Sequence, residues 1–181
     1  MNQKKDIIKS IVVLTVICLV TSAALAVVNH FTAPVSAANA AAREEDTRRT
    51  VMKDAAGFEA LSGIELPEEI LNAYIGKDAM GATLGYIFTV QGKGFGGPIT
   101  VMCAIDMNDR IIACSTLDVS GETKTLGGRV VDGAYTGQYV GSGAALDGVE
   151  TISGATVTSR AYEGCVKAAF DACARIKGAG A

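Results

Sequence analysis

A run of small and hydroxyl-bearing residues, Ser153–Ser159, stands directly before the last helical pattern of the chain. Small side chains allow a tight turn, and the first amides of a helix have no acceptor within the helix. Together with the helix dipole, such amides form a favourable site for a phosphate group. The alternative is an ordinary cap, in which Thr158 or Ser159 accepts hydrogen bonds from the first-turn amides. The residues alone favour the cap, because many helices begin this way.

Two glycine-containing loops precede this run, Lys93–Ile99 and Gly121–Gly128. Glycine allows the backbone to approach a flat ring closely or to adopt a positive φ. Taken by themselves, both segments also suit ordinary turns between strands. They therefore indicate a flat ligand only in combination with other signals.

The cysteines are spaced for packing rather than for metal binding. The chain contains five cysteines and one histidine, with no C-x-x-C pair, so we expect no zinc or iron–sulfur site. Cys103 and Cys114 could face each other across a hairpin, whereas Cys165 and Cys173 lie about 12 Å apart along a helix. We interpret these four as small buried hydrophobic residues.

The elements that must position these residues follow from periodicity. Apolar residues recur at helical spacing between Tyr162 and Ile176, which predicts an amphipathic C-terminal helix packed on a sheet. Strand patterns begin at Leu84, at Ile99 and at Arg110, and Asp106–Asp109 supplies a turn. The order of elements predicts an α+β fold with one antiparallel sheet and packed helices.

Upstream segments are mostly helical in pattern. Residues 30–42 suit a short connector or a helix entering the domain, and 40–56 form a charged helical pattern whose polar face we expect to be solvated. Pro67–Glu69 predicts the opening of a short helix, since proline suits a first-turn position.

The N-terminal segment predicts a membrane anchor. Ile7–Val28 is long and apolar enough to span a bilayer, and three lysines, at positions 4, 5 and 9, precede its uncharged part from Ser10, which places the N-terminus in the cytoplasm and residues 31–181 outside. The alternative is a cleaved signal peptide, because Ala24–Ala26 resembles a cleavage site. We divide the chain into residues 1–29, a cytoplasmic tail and single-pass anchor of the cell (inner) membrane, and 30–181, one extracytoplasmic domain. The outer part carries the net negative charge, which argues against nucleic acid as a partner.

Three segments resemble the FMN-binding domain family. Glu150–Thr156 is similar to its flavinylation motif Asp-x-x-Ser/Thr-Gly-Ala-Thr, with Glu150 in place of Asp. Lys93–Ile99 looks like the family's Lys-Gly-aromatic-Gly-Gly-Pro segment. Gly121–Gly128 resembles its Glu-Thr-Pro-Gly-Leu-Gly loop, with Lys124–Thr125 in place of Pro-Gly. The combination with an outward-facing single-pass topology is similar to the G subunits of Rnf electron-transport complexes.

The resemblance implies that FMN is bound covalently through a phosphoester to Thr156, attached by a flavin transferase during maturation. The cofactor-binding residues carried over from the motifs are Ser153, Gly154, Ala155, Thr156, Glu122, Thr123, Leu126, Gly127, Gly96 and Gly97. The implied function is to relay electrons through FMN within an ion-translocating ferredoxin:NAD+ oxidoreductase, without substrate chemistry of its own. The implied partners are the other membrane and peripheral subunits of that complex and membrane lipid.

Three alternatives stand beside this one. The C subunit of the sodium-translocating NADH:quinone reductase shares the motif, but we expect it to be longer than 181 residues. A flavinylated module for extracellular electron transfer would need no ion pump. A cofactor-free, membrane-anchored binding protein would make the glycine and alanine content purely compositional.

Overall fold

The computed structural model describes the backbone of residues 2–179 and the side chains of residues 7–178. Contacts divide the chain into two units, one up to Arg43 and one from Glu44 onward. A single helix, α1 (Asn2–Val51), begins in the first unit and ends in the second. It continues through Pro34 and across the predicted domain boundary at 29/30, so that boundary stays a prediction about where the membrane ends.

The first unit consists of the apolar part of α1. Its most apolar 18-residue stretch has a mean hydropathy of 2.8, so its length and composition suit a membrane span. Residues 30–42, for which the sequence left a connector or a helix open, are helical.

The second unit is built on one antiparallel sheet of five strands in consecutive order, β1 to β5. This confirms the predicted α+β class. Of the three strands predicted from the sequence, the first two lie within longer strands, and the third, predicted to begin at Arg110, begins one residue later, at Ile111. The five strands are β1 (Gly57–Ala60), β2 (Ile70–Lys77), β3 (Thr83–Lys93), β4 (Pro98–Asp106) and β5 (Ile111–Asp118).

The predicted short helix at Pro67–Glu69 is wrong. The segment is a turn in which the Ile70 amide donates to the Pro67 carbonyl at 3.0 Å, and β2 begins at Ile70. The Glu69 carbonyl accepts from the Gln91 amide at 2.8 Å, which continues the ladder with β3. Pairing with a neighbouring strand therefore satisfies the backbone that a helix would otherwise have satisfied.

After β5 the chain is irregular, with a 3₁₀ turn at Gly127–Val131, a single helical turn α2 (Gly133–Thr136) and a second 3₁₀ turn at Gly137–Tyr139. The last element is the predicted C-terminal helix, α3 (Thr156–Ala179). It covers one face of the sheet, where its residues Tyr162, Val166 and Phe170 share a core with Phe88 and Val101.

The end of α1 covers part of the other face. Val51 and Met52 are buried against Ile87, Met102 and Ala104 in a second, smaller core. The Arg48 guanidinium lies 3.6 Å from the centre of the Tyr74 ring, and Glu44 accepts a hydrogen bond from the side-chain Nδ2 of Asn72 at 3.0 Å. The last two turns of α1 are therefore part of the domain and not only a stalk for it.

The four cysteines of the domain are free and buried, as the sequence predicts. Cys103 and Cys114 are paired across the β4–β5 hairpin with their sulfurs 3.4 Å apart. Burial raises the pKa of the Cys165 thiol to about 12 and that of Cys173 to about 11. These thiols are therefore neutral packing groups near neutral pH.

Candidate functional site

The start of α3 is shaped by the residues that the flavinylation motif singles out. Gly154 adopts a φ of 79°, and the Ala155 amide donates to the Ile152 carbonyl at 2.9 Å. This turn leads directly into Thr156, the first residue of the helix, whose side chain is exposed. Within the described part of the chain, no group accepts a hydrogen bond from the amides of residues 156–158. The helix therefore presents free donors at its positive end.

The predicted helix cap is wrong for both hydroxyls. The Thr158 hydroxyl donates to Glu122 Oε2 at 3.0 Å, and the Ser159 hydroxyl accepts from the Ile152 amide at 3.0 Å. Both side chains are buried. They hold preceding segments against the helix, and the first-turn amides stay available.

Glu122 lies at the point where the three motif segments meet. Its side chain is only 8% exposed. Its Oε1 accepts from the Phe95 amide at 2.6 Å and from the Gly96 amide at 3.1 Å, while Oε2 accepts from Thr158. One carboxylate therefore connects the loop after β3, the loop after β5 and the first turn of α3.

The glycine-rich loop between β3 and β4, residues 94–97, packs against the second loop. The Gly94 amide donates to the Gly97 carbonyl at 2.9 Å, which closes the loop. A Cβ on Gly96 would overlap the Gly121 carbonyl oxygen, whereas a Cβ on Gly97 would lie 3.5 Å from the nearest atom, Gly121 Cα. The requirement for glycine at position 96 therefore comes from packing within the protein.

These segments enclose a pocket of about 400 Å³, which is within the size range of small-molecule sites. The structure brings all but three of the predicted site residues to its lining. Ser153 lies outside it, and Gly96 and Gly97 line a neighbouring cleft along the end of β3. The pocket is lined by Phe95, Glu122, Thr123, Leu126, Gly127, Gly154, Ala155, Thr156, Val157 and Thr158.

Sequence reasoning missed three lining residues, Phe95, Val157 and Thr158. Phe95 and Val157 are 80% and 54% exposed, and Leu126 is 45% exposed. Large apolar side chains that are exposed to solvent beside a pocket indicate a ligand-binding site. An aromatic residue inside a glycine-rich loop gave that signal in the sequence. The position of Thr158 could not be read in this way, since its partner is far away in the chain.

Three buried tyrosines, one of them in α3, form a cluster. The rings of Tyr135, Tyr139 and Tyr162 meet with centres between 5.2 and 5.7 Å apart. The Tyr135 hydroxyl lies 3.0 Å from that of Tyr139 and 3.4 Å from the Ser159 carbonyl. Burial raises the pKa of Tyr135 and of Tyr139 above the ordinary value, so these phenols stay neutral.

Two further clefts lie beside the pocket, along the end of β3 and between β3 and α3. Neither contains Thr156, the free amides of α3 or the Glu122 carboxylate. The pocket at the start of α3 is therefore chosen as the candidate site by the chemistry of its polar groups and not by its size.

Comparison with known proteins agrees with this geometry. Residues 94–171 match the FMN-binding domain family, and that stretch contains the β3–β4 loop, Glu122 and Thr156. The pocket thus belongs to a flavin-binding class of domain. Among solved structures, the C subunit of the Na+-translocating NADH-quinone reductase from Parabacteroides distasonis aligns with 56% of this chain and 58% of its own, at 21% identity and a TM-score of 0.45.

Relatives of similar length match most of the chain. The G subunit of the Na+-translocating ferredoxin:NAD+ oxidoreductase complex of Acetobacterium woodii is 31% identical over 87% of this chain and 86% of its own. The G subunit of the proton-translocating complex of Clostridium ljungdahlii is 26% identical with the same coverage. The G subunit of the ion-translocating complex of Methanosarcina acetivorans is 27% identical over 94% and 96%. The chain belongs to this family of G subunits of ion-translocating oxidoreductase (Rnf) complexes.

Proposed function

We propose that this protein is an electron-transfer subunit of an ion-translocating ferredoxin:NAD+ oxidoreductase complex and carries FMN on a phosphoester to Thr156. The observation that carries the proposal is the position of Thr156. Its hydroxyl-bearing side chain is exposed at the first residue of α3, in a pocket whose amides at positions 156–158 have no acceptor among the described residues. A phosphate esterified at this position would meet a helix N-terminus.

The residues of the pocket suit both the phosphate and the flat ring of FMN. The free amides at the start of α3 are donors for the phosphate, and the exposed apolar side chains of Phe95, Leu126 and Val157 offer a surface for a flat aromatic ring. Gly127 and Gly154 line the pocket without a side chain. When bound, FMN would supply reversible electron transfer, and the protein would supply placement, partial shielding from water and the surrounding hydrogen bonds.

The proposal includes a setting for the domain. We place the N-terminus in the cytoplasm because Lys4, Lys5 and Lys9 precede the uncharged stretch of residues 10–28. We place the flavin domain on the outer side of the cell (inner) membrane, with a single-pass anchor. Its partners would be the other subunits of the complex, membrane lipid and the flavin transferase. A membrane-impermeant thiol reagent should reach a cysteine introduced near the C-terminus in intact cells, and not one introduced at Asn2. The opposite pattern contradicts this orientation.

The attachment is tested by removing one hydroxyl. Thr156→Val keeps the β-branched shape but removes the only atom of the side chain that can form a phosphoester. We expect wild-type protein, produced with a flavin transferase, to remain fluorescent after denaturation and to be heavier by FMN less one water, and the variant to lose both signals.

Two matched variants make this test specific. Thr151→Val changes an exposed threonine outside the pocket and should leave the flavin attached, and Thr156→Ser should retain a fraction of it because a hydroxyl remains. Covalent flavin in Thr156→Val, located by peptide mass on another residue, contradicts the assignment to Thr156. Wild-type protein without flavin despite an active transferase contradicts the proposed cofactor.

A further inference from the structure

We infer that Glu122 is a positioning residue: its buried carboxylate fixes the distance between the two walls of the pocket, the β3–β4 loop and the first turn of α3. The inference rests on the proposed function for its flavin readout only. Its structural part concerns the protein without flavin and can be tested separately.

The carboxylate is held entirely by neutral donors. Both oxygens act as acceptors, from the amides of Phe95 and Gly96 and from the hydroxyl of Thr158, at distances between 2.6 and 3.1 Å. Among the described residues, no cationic group lies within ion-pair distance of Glu122. A buried carboxylate is costly unless its lone pairs are satisfied, so these donors and Glu122 depend on one another.

Glycines at two positions leave the space that the carboxylate occupies. A Cβ on Gly94 would overlap Glu122 Oε1, and a Cβ on Gly127 would overlap Oε2 and lie 2.7 Å from the Thr158 hydroxyl oxygen. Neither glycine has a positive φ, so backbone strain does not explain them. The space that they leave admits the carboxylate, which accounts for glycine at both positions within the protein itself.

The consequence concerns the pocket. Phe95 lies on one wall of the pocket and Thr156 on the other. The two walls are connected by hydrogen bonds to a single side chain, since Glu122 accepts from the Phe95 amide and from the Thr158 hydroxyl. Three of the lone pairs of Glu122 are directed to protein donors. Glu122 therefore acts on a bound flavin through the loop and the helix, as a positioning residue.

Amide hydrogen exchange measures this link directly. The experiment uses the full chain in detergent, produced without flavin transferase, and follows the exchange of the Phe95 and Gly96 amides. In Glu122→Ala we expect both to exchange about 10-fold faster or more, because each loses a hydrogen bond to a charged acceptor. In Glu122→Gln, whose carbonyl oxygen can accept the same two bonds, we expect protection within about 3-fold of wild type.

Two further variants keep the test decisive if Glu122→Ala fails to fold. Thr158→Val removes one donor with little change of shape, and we expect the loop amides to exchange a few-fold faster while α3 remains protected. Gly97→Ala is the matched control in the loop itself, since a Cβ there meets only an ordinary contact, and should leave Glu122 and its donors unchanged. Unchanged loop exchange in both Glu122→Ala and Thr158→Val overturns the inference. Loss of protection in Glu122→Gln equal to that in Glu122→Ala also overturns it.

The same variants produced with a flavin transferase test the consequence for the cofactor. We expect Glu122→Ala to change the flavin absorption spectrum and midpoint potential, and Glu122→Gln to change the spectrum less. A wild-type spectrum and potential in Glu122→Ala overturns the positioning role even if the loop loosens. Absence of flavin from the wild type contradicts the proposed function and leaves the exchange result to stand by itself.

Discussion

The two connections at opposite ends of β4 are closed in different ways. The β4–β5 turn, Met107–Arg110, is closed by its neighbour: Asp106 Oδ1 accepts from the Asn108 and Arg110 amides, both at 2.8 Å. The β3–β4 loop, Gly94–Gly97, directs the amides of Phe95 and Gly96 to Glu122 instead, 27 and 26 residues further along the chain.

The source of the hydrogen-bond acceptor distinguishes a purely structural turn from a loop that belongs to the candidate site. A turn whose amides are satisfied by an adjacent side chain does not need the functional pocket for those hydrogen bonds. A loop whose donors are satisfied by a distant carboxylate has its shape only when the remaining parts of the site are in place. The β3–β4 loop is thereby coupled to the pocket, and the β4–β5 turn is not.

The largest effect should come from Gly127→Ala, because the added Cβ overlaps Glu122 Oε2. We expect a loss of about 2–3 kcal/mol in the free energy of unfolding, typical of overpacking a closed site, together with reduced flavin incorporation. Thermal unfolding by circular dichroism and in-gel flavin fluorescence measure the two. Equal stability and flavin content in Gly127→Ala and Gly97→Ala would mean that the carboxylate is not confined as described.

Asp106→Ala should have a smaller effect, of about 1–2 kcal/mol, since two amides of the turn lose their acceptor but are near solvent. Asp106→Asn, which keeps an acceptor oxygen, should recover part of this loss. Flavin incorporation should equal that of wild type in both variants. A drop in flavin content in Asp106→Ala would show that the two ends of β4 are not independent.

Lys177→Met should cost less than about 1 kcal/mol. Lys177 donates to the Met107 carbonyl at 3.0 Å and pairs with Asp109 at 2.5 Å, but the Asp109 side chain is 61% exposed, so water competes for the pair. Chemical denaturation at low and at high salt measures the contribution, which should shrink at high salt. A loss above about 2 kcal/mol would make this contact a main support of the turn.

Alkaline pH should destabilise the domain through its buried tyrosines, which have no such effect near neutral pH. Burial raises the folded-state pKa of Tyr135 and Tyr139 above the unfolded value of about 10. Their contribution is therefore fully present below about pH 10 and is lost as the pH rises further, because the unfolded state releases the phenolic protons first. Phenolate absorbance recorded during unfolding between about pH 7 and 11 follows this. A decline that begins below about pH 9 would require a different group.

The sequence predicts the helices and strands that are determined by residues close to one another in the chain. The hairpin of β4 and β5 follows from two β-branched runs around Asp106–Asp109, and α3 follows from its helical period. The two strands at one side of the sheet, β1 and β2, were missed, because β1 is four residues long and Pro67 before β2 suits a helix start equally well. For strands at this side of the sheet, pairing with a neighbour decides the outcome, and pairing is not a local property.

In the candidate site, likewise, a motif of residues adjacent in the chain was predicted, and a contact between distant residues was missed. The motif around Thr156 was recognised because its residues are adjacent, and the structure places Ala155 and Thr156 in the pocket. The role of Thr158 was predicted wrongly, as a cap, because its acceptor Glu122 is 36 residues away. No pattern of spacing indicates a contact of that kind; only the antiparallel sheet, which returns both loops to one edge, creates it.

The last turns of α1 decide where a soluble fragment of this protein can begin. A fragment starting at Ala56 would lack Val51 and Met52 and would leave Ile87 and Met102 uncovered on an open sheet face. It would also lack Arg48, whose guanidinium stacks on Tyr74. A fragment starting at or before Glu44 keeps all of these groups. The first should aggregate during purification and the second should remain monodisperse, so the charged end of the anchor helix is worth retaining in any crystallisation or spectroscopic work on the domain.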